Sequence, residues 1–416
     1  MVQALKTIVL VAGMLGAVSA SRTSPRNKMK VAKRSCSTLP PAPTSTEAPP
    51  PPPTTTEAPP PPPPSTTEAP PPPPTTTVAP PPPPPTTEAP PPPPPTTEAP
   101  PPAETPAPGG GGESAPPPAP AGKYNVQDKW IGDGFYGGFD FNTFDDPTHG
   151  RVNYVDQATA QSQNLSYTGP DSFVMRADSV NNVDPASRGR NSVRITSKNF
   201  YTTHVLVADI RHMPAGPSTW PALWEFGNNW PNEGELDIIE GANDVGPNLS
   251  SLHTSPGCTQ PGPGARDMKG QPANLDCDAN VAGNTGCGVN SDSPESFGSA
   301  FNGAGGGWYA VERTDNYMKV WFWGRNDGGV PQEVRDGVDG VNPDSWGQPT
   351  VLFTSDQCPL HDKFGPNQIV INLTLCGDWA GNTYPGGMGA CVDFVNNNPG
   401  GFGEAFWDIA RLQVYV

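Results

Sequence analysis

Three carboxylates, Glu235, Asp237 and Glu240, are spaced through Glu235-Leu236-Asp237-Ile238-Ile239-Glu240, an otherwise apolar run of strand length. An acid buried in a sheet costs several kcal/mol unless it is paired or does chemistry, so this density asks for a functional reason. Alternate side chains of a strand share a face, which sets Glu235 and Asp237 on one side and Leu236 with Ile238 in the layer behind. Strict alternation would drive Glu240 into that apolar layer. A single β-bulge between Asp237 and Glu240, absorbing the extra isoleucine, returns Glu240 to the face of Glu235. Two carboxyl groups about 5 to 5.5 Å apart are what retaining glycoside hydrolysis uses, one attacking the anomeric carbon while the other protonates the leaving oxygen. Asp237 between them would orient one and help the two keep different protonation states. Calcium sites also gather carboxylates, so the cluster alone leaves both chemistries open.

The segments around this run read as short strands joined by Gly/Pro/Asn turns. Asn191 to Thr196 alternates polar and apolar, Thr203 to Arg211 follows it, and Trp308 to Thr314 pairs with Tyr317 to Trp323 across Asp315-Asn316. Ile369 to Leu373 and Ile409 to Val416 complete the set, and only Met388 to Asn396 suggests a helix. That pattern predicts an all-β sandwich of antiparallel sheets in one domain, 123–416. Trp220, Trp224 and Trp230 lead into the acidic run, and an indole face packs well on the C–H groups of a sugar ring. Gly234 and Gly241 bracket the run for backbone reasons. Asn164, Asn248 and Asn372 head Asn-x-Ser/Thr sequences and are surface glycan acceptors if used.

Most of the 61 prolines lie before residue 121. Residues 1–20 carry Lys6, an apolar run from Ile8 to Val18 and the small Val18-Ser19-Ala20, the pattern of a secretory signal. Residues 21–36 are basic and end near Lys33-Arg34, a dibasic pair open to propeptide cleavage. From 37 to 122 Thr-Thr-Glu-Ala alternates with proline runs, which have no amide donors and a fixed φ; the expected state is a disordered or polyproline II stalk, open to O-glycosylation. The expected location is extracellular or in a cell wall. No later run is long and apolar enough to span a membrane. Seven cysteines fit an oxidising compartment; six lie in the C-terminal domain, and Cys36 is left to bridge another chain, the protein otherwise being a monomer. The net charge of −17, with an excess of acids in the C-terminal domain itself, repels phosphate backbones and argues against nucleic acid as a partner.

The six-residue acidic run resembles the bulged, laminarinase-type signature of glycoside hydrolase family 16. Its surroundings are similar to the fungal-type endo-β-1,3(4)-glucanases of that family in Asp146 to Val155, Gly189 to Ile195, Thr219 to Glu225, Leu252-His253-Thr254 and Cys376 to Gly381. The resemblance spans nearly all of 123–416 and none of the stalk. It implies a concave β-jelly roll and endo-acting, retaining cleavage of β-1,3 or mixed β-1,3/1,4 glucan by double displacement. By motif position Glu235 is the nucleophile, Glu240 the general acid/base and Asp237 the assisting carboxylate. Trp230 matches an aromatic that stacks on a sugar ring, with Trp224 in a similar role; His253 falls beside the acids, and Arg190, Asn153 and Trp379 are further candidates for sugar contact. No cofactor or metal is required by this mechanism, and with five His and no clustered Cys/His spacing zinc is disfavoured. Among the 15 pairings open to six cysteines, Cys376 with Cys391 is the expected bridge. A transglycosylase would use the same glutamates, and a wall-bound lectin or structural protein would keep the fold without the chemistry.

Overall fold

The computed structural model describes residues 122–416; the signal, the basic segment, the stalk and Cys36 lie outside the described residues. Two antiparallel sheets face each other. The sheet that carries the acids runs, in spatial order, Gln271–Asn274, Cys287–Asn290, Leu249–His253, Glu235–Glu240, Thr219–Gly227, Asn367–Leu375, Arg194–Ser197 and Phe139–Phe141. The opposite sheet is built around Phe406–Tyr415, His204–His212, Gly307–Arg313 and Tyr317–Gly324. This is the jelly-roll sandwich expected from the sequence, and the hairpin between the last two strands pairs Trp308 with Trp323 and Arg313 with Met318.

Alternation decides which side chains fill the sandwich. From the acid-bearing sheet Leu223, Leu236, Leu252, Ile369 and Ile371 point inward and meet Leu206, Ala208, Ile210, Val311 and Val320 of the opposite sheet, all buried. The intervening residues, among them Trp224, Asp237, His253 and Asn372, face the other way and form the floor of the site. The opposite sheet is covered on its outer face too: Val205, Val207, Trp321 and Trp323 pack with Val334, Val341 and Trp346. Burial on both faces explains why His204–His212 and Gly307–Arg313 read as nearly continuous apolar runs.

One polar group bridges the sheets inside the core. Glu225, next to Trp224 but pointing inward, accepts from His204 Nε2 at 2.9 Å and from Arg313 Nη1 at 3.4 Å. All three side chains are buried. The cysteines pair as Cys258–Cys358, Cys277–Cys287 and, as expected, Cys376–Cys391.

Two expectations need correction. The Asn191–Thr196 segment is not one strand: Arg190–Ser192 pairs in parallel with Val152–Tyr154, and after Val193 the chain joins the acid-bearing sheet as Arg194–Ser197. The expected helix is present as Gly387–Asn397, but short helices also occur at Gly134–Gly138, Gln157–Ser162, Gly298–Gly303, Gln332–Asp336 and Leu360–Lys363. At four to six residues, none is long enough to show an apolar period.

Candidate active site

The bulge lies where the isoleucine pair demands it. Against Thr219–Gly227, Asp237 is opposite Trp224 and Ile239 is opposite Leu223, so Ile238 is the extra residue. Ile238 and Ile239 are both fully buried in the core, while Glu240 returns to the face of Glu235 and Asp237. Magnitudes favour this arrangement: each isoleucine gains about 1.5 to 3 kcal/mol from burial, and a regular strand would expose one while burying an unpaired carboxyl.

Each glutamate is held by an indole. Trp230 Nε1 donates to Glu235 Oε2 at 2.5 Å, and Trp220 Nε1 donates to Glu240 Oε1 at 2.9 Å. One oxygen of each carboxyl is thereby fixed and the other is left for chemistry. Trp230 sits on the loop ahead of the strand with 42% of its surface exposed. Gly234, between them, has φ +73° and its Cα lies against the Phe364 ring, where a Cβ would collide.

Behind the pair, Asp237 Oδ2 forms an ion pair with His253 Nε2 at 3.2 Å. His253 is opposite Glu235 on the neighbouring strand, and its Nδ1 lies 2.8 Å from Asn284 Oδ1. Asn284 belongs to the loop closed by Cys277–Cys287, and Gly286 lets that loop approach the imidazole, since a Cβ there would come within 2.8 Å of the ring.

The charges in this cluster are interdependent. Burial, and then the negative charge of Asp237, push Glu235 up to about 7 and Glu240 up to about 8. Burial opposes protonation of His253, but Glu235 and Asp237 outweigh it and raise the imidazole to about 10. Glu235, Asp237 and His253 place ligand atoms within 4.8 Å of one another. The imidazole raised in this way faces Asp237 and Glu235 as a cation.

Trp224 faces the same side of the sheet as the acids. It lies on the floor opposite Asp237, donates from Nε1 to Asn372 Oδ1 at 2.7 Å, and carries the Arg194 guanidinium 4.9 Å from its ring. Trp379 is brought in through an edge-to-face contact with Trp220 at 5.8 Å, beside a cavity of about 460 Å³ that also involves Ala242, Asn243 and Tyr384. Asn153 instead donates to Asn191 at 2.7 Å.

Arg190 does not belong to the site, contrary to expectation. It is fully buried, donates to the carbonyls of Asp178, Asn181 and Val395, and lies over the Phe402 ring, so it fastens the strand before Val193 to the helix 387–397. Two of the three glycan acceptors are likewise internal. Asn372 is bonded to Trp224 and Tyr154 on the site floor, and Asn248 is buried behind the bulge; Asn164 alone of the three is exposed. The sequence alone assigns no site role to Arg194 or Asn372, and Trp220 enters there only as part of the aromatic approach. A signal for each was present: Trp220 shares the even-numbered face of Trp224, and Arg194 and Asn372 flank the inward-facing Ile195 and Ile371.

A two-sheet sandwich whose open face carries paired carboxyls between indoles is the architecture of a carbohydrate-active protein. The catalytic-domain profile of family 16, described as XgeA-like, matches residues 139–415. The chain belongs to glycoside hydrolase family 16. It is 39% identical over 308 residues to a protein of Aspergillus fumigatus named as a probable endo-1,3(4)-β-glucanase; the match takes in 70% of this chain but 45% of that relative's length. Among solved structures it resembles laminarinase 16A from Phanerochaete chrysosporium, described with two β-glucans in its donor and acceptor sites, at 50% identity and a TM-score of 0.68 over 70% of this chain and 99% of that one. It also resembles an elongating family 16 β-1,3-glucosyltransferase at 34% identity and a TM-score of 0.66, over 71% of this chain and all of that one.

Proposed function

We propose that the protein is a secreted, endo-acting, retaining β-glucanase that hydrolyses β-1,3 or mixed β-1,3/1,4 glucan. The observation that carries this reading is the bulge, which turns Glu235 and Glu240 onto one face with Asp237 between them. In the first step the Glu235 carboxylate attacks the anomeric carbon while Glu240 gives its proton to the departing glycosidic oxygen, leaving a glycosyl ester on Glu235. In the second, Glu240 takes a proton from water, the water oxygen attacks the same carbon, and the Glu235 carboxylate is released. Two inversions retain the β configuration. Trp230, Trp224 and Trp379 offer ring faces to the glucan, and secretion and a cell-wall setting are supported by the character of residues 1–122.

Laminarin digestion followed by NMR tests the reading: the first reducing ends are β, and they mutarotate later. An α product, or none, would sink it. The glucosyltransferase neighbour favours transglycosylation as a second reading. Laminari-oligosaccharides supplied as both donor and acceptor then give products longer than the starting sugar, whereas the hydrolase gives shorter ones.

Burial, and then the Asp237 charge, set the alkaline end of the pH range. Glu240 must hold its proton, so kcat/KM falls as pH rises through its raised value. Asp237→Asn removes a negative neighbour and lowers that value, moving the alkaline limb toward acid by about one pH unit. A pH profile whose alkaline limb stays in place would show that Asp237 does not govern Glu240.

A further inference from the structure

Asn248-Leu249-Ser250 has the form of a glycan acceptor, yet both of its polar side chains are engaged inside the protein. The ladder between Glu235–Glu240 and Leu249–His253 contains three pairs, Glu235 with His253, Leu236 with Leu252 and Asp237 with Ser251, and stops at the bulge. Beyond it, side chains meet the backbone. Asn248 Oδ1 accepts from the Glu240 amide at 2.9 Å, while Asn248 Nδ2 donates to the Ile238 carbonyl at 2.9 Å. Ser250 Oγ donates to the same carbonyl at 2.8 Å. The Asn248 side-chain amide thus takes the place of the next peptide of a neighbouring strand. It is itself held in register, since the Asn248 N–H donates to Ser296 Oγ at 3.0 Å and its carbonyl accepts from the Ser291 amide at 2.9 Å.

The structure assigns Asn248, supported by Ser250, as the positioning residue for Glu240: the pair clamps the bulge that turns the Glu240 carboxyl toward substrate. A bulge interrupts ladder hydrogen bonds, and buried backbone groups left without partners favour a slip back to a regular strand. That slip would carry Glu240 into the apolar layer. Asparagine suits the position because it presents one donor and one acceptor to two backbone groups of opposite character; aspartate lacks the donor and alanine lacks both. Asn248 and Ser250 bond to the backbone of Glu240 and Ile238 and not to the Glu240 carboxyl, which accepts from Trp220, so the effect passes through the backbone. The role rests on the reading of Glu240 as general acid/base.

Leaving-group dependence in the full-length chain tests this. A natural glucan needs the proton that Glu240 supplies, whereas dinitrophenolate departs without one. Asn248→Ala is expected to lower kcat on laminarin by about a hundredfold, the scale of an ångström-level misplacement of a catalytic group. The pre-steady-state release of dinitrophenolate from dinitrophenyl β-laminaribioside, which reports glycosylation of Glu235, stays within a few-fold of wild type. Ser250→Ala, which leaves Asn248 on the Ile238 carbonyl, shows the same selectivity at smaller size and covers the case in which Asn248→Ala does not fold. Glu240→Ala is the reference. If Glu240→Ala shows the leaving-group split and the clamp variants instead retain full laminarin activity, or lose both activities in equal proportion, the clamp is overturned while Glu240 keeps its role. If Glu240→Ala itself lacks the split, the acid/base reading falls and the clamp falls with it.

Discussion

Alanine at Glu235 or at Glu240 is expected to lower turnover of laminarin by roughly four orders of magnitude, and sodium azide then separates the two proposed roles by the product it leaves. With Glu235→Ala a small cavity stands where the proposed nucleophile was. Azide entering it attacks the anomeric carbon from that side, Glu240 still protonates the leaving oxygen, and a single inversion gives an α-glycosyl azide. With Glu240→Ala the ester on Glu235 still forms from a donor with a good leaving group, but water is no longer deprotonated as it attacks. Azide needs no general base; it displaces Glu235 in a second inversion and gives the β-glycosyl azide. The anomeric proton coupling in NMR distinguishes the two. An exchange of the products between the variants would exchange the roles, and the same anomer from both would rule out double displacement.

The extent to which sequence reveals this site follows from the periodicity of strands. Acidic residues at 235, 237 and 240 with two adjacent isoleucines fit a half-buried strand only if a bulge intervenes, and the register has it between Asp237 and Ile239. The aromatic candidates Trp224 and Trp230 rest on residue type and on the resemblance to the family, and both lie beside the acids. Arg190 does not, because carbonyls of the nearby 178–181 loop and of a helix some two hundred residues on converge on it, and no residue pattern encodes that convergence. Glycan acceptors illustrate the same limit. The three-residue rule reads Asn248, Asn372 and Asn164 alike, whereas tertiary structure uses the first to meet a bulge, the second to hold Trp224, and leaves the third in solvent. The short helices escaped detection for another reason: four to six residues hold no more than two turns, too few for a period to appear.

Glu225→Ala is expected to destabilise the domain by about 3 to 5 kcal/mol, the range for breaking a buried ion pair from one side. The carboxyl faces His204 and Arg313, so its removal strands their polar groups in a core where water cannot compensate. The two partners have few alternatives. His204 Nδ1 is already turned to the Thr202 carbonyl at 2.9 Å, and Arg313 Nη2 donates to the Gly365 carbonyl at 2.5 Å. At roughly 2 to 4 °C per kcal/mol for a domain of this size, the melting temperature falls by about 6 to 20 °C. Replacing all three residues by apolar side chains of similar volume costs less than the single change, since no uncompensated group then remains. The pH dependence follows from the sign of the shift. Burial acts to raise the Glu225 pKa, but His204 and then Arg313 outweigh it and hold the carboxyl below its usual value. Its contribution is therefore fully present above the unfolded value of about 4.3 and is lost as pH falls through the lower folded one. The stability gap between wild type and Glu225→Ala stays level from neutral pH down to that range and closes only beneath it. Urea titrations across pH read this directly, and a gap that narrowed near neutrality, or a variant as stable as wild type, would mean that the triad does not hold the two sheets together. Because Trp224 is the next residue on the same strand and Leu236 lies opposite Glu225, loosening this joint also frees the floor on which Glu235 and Asp237 stand.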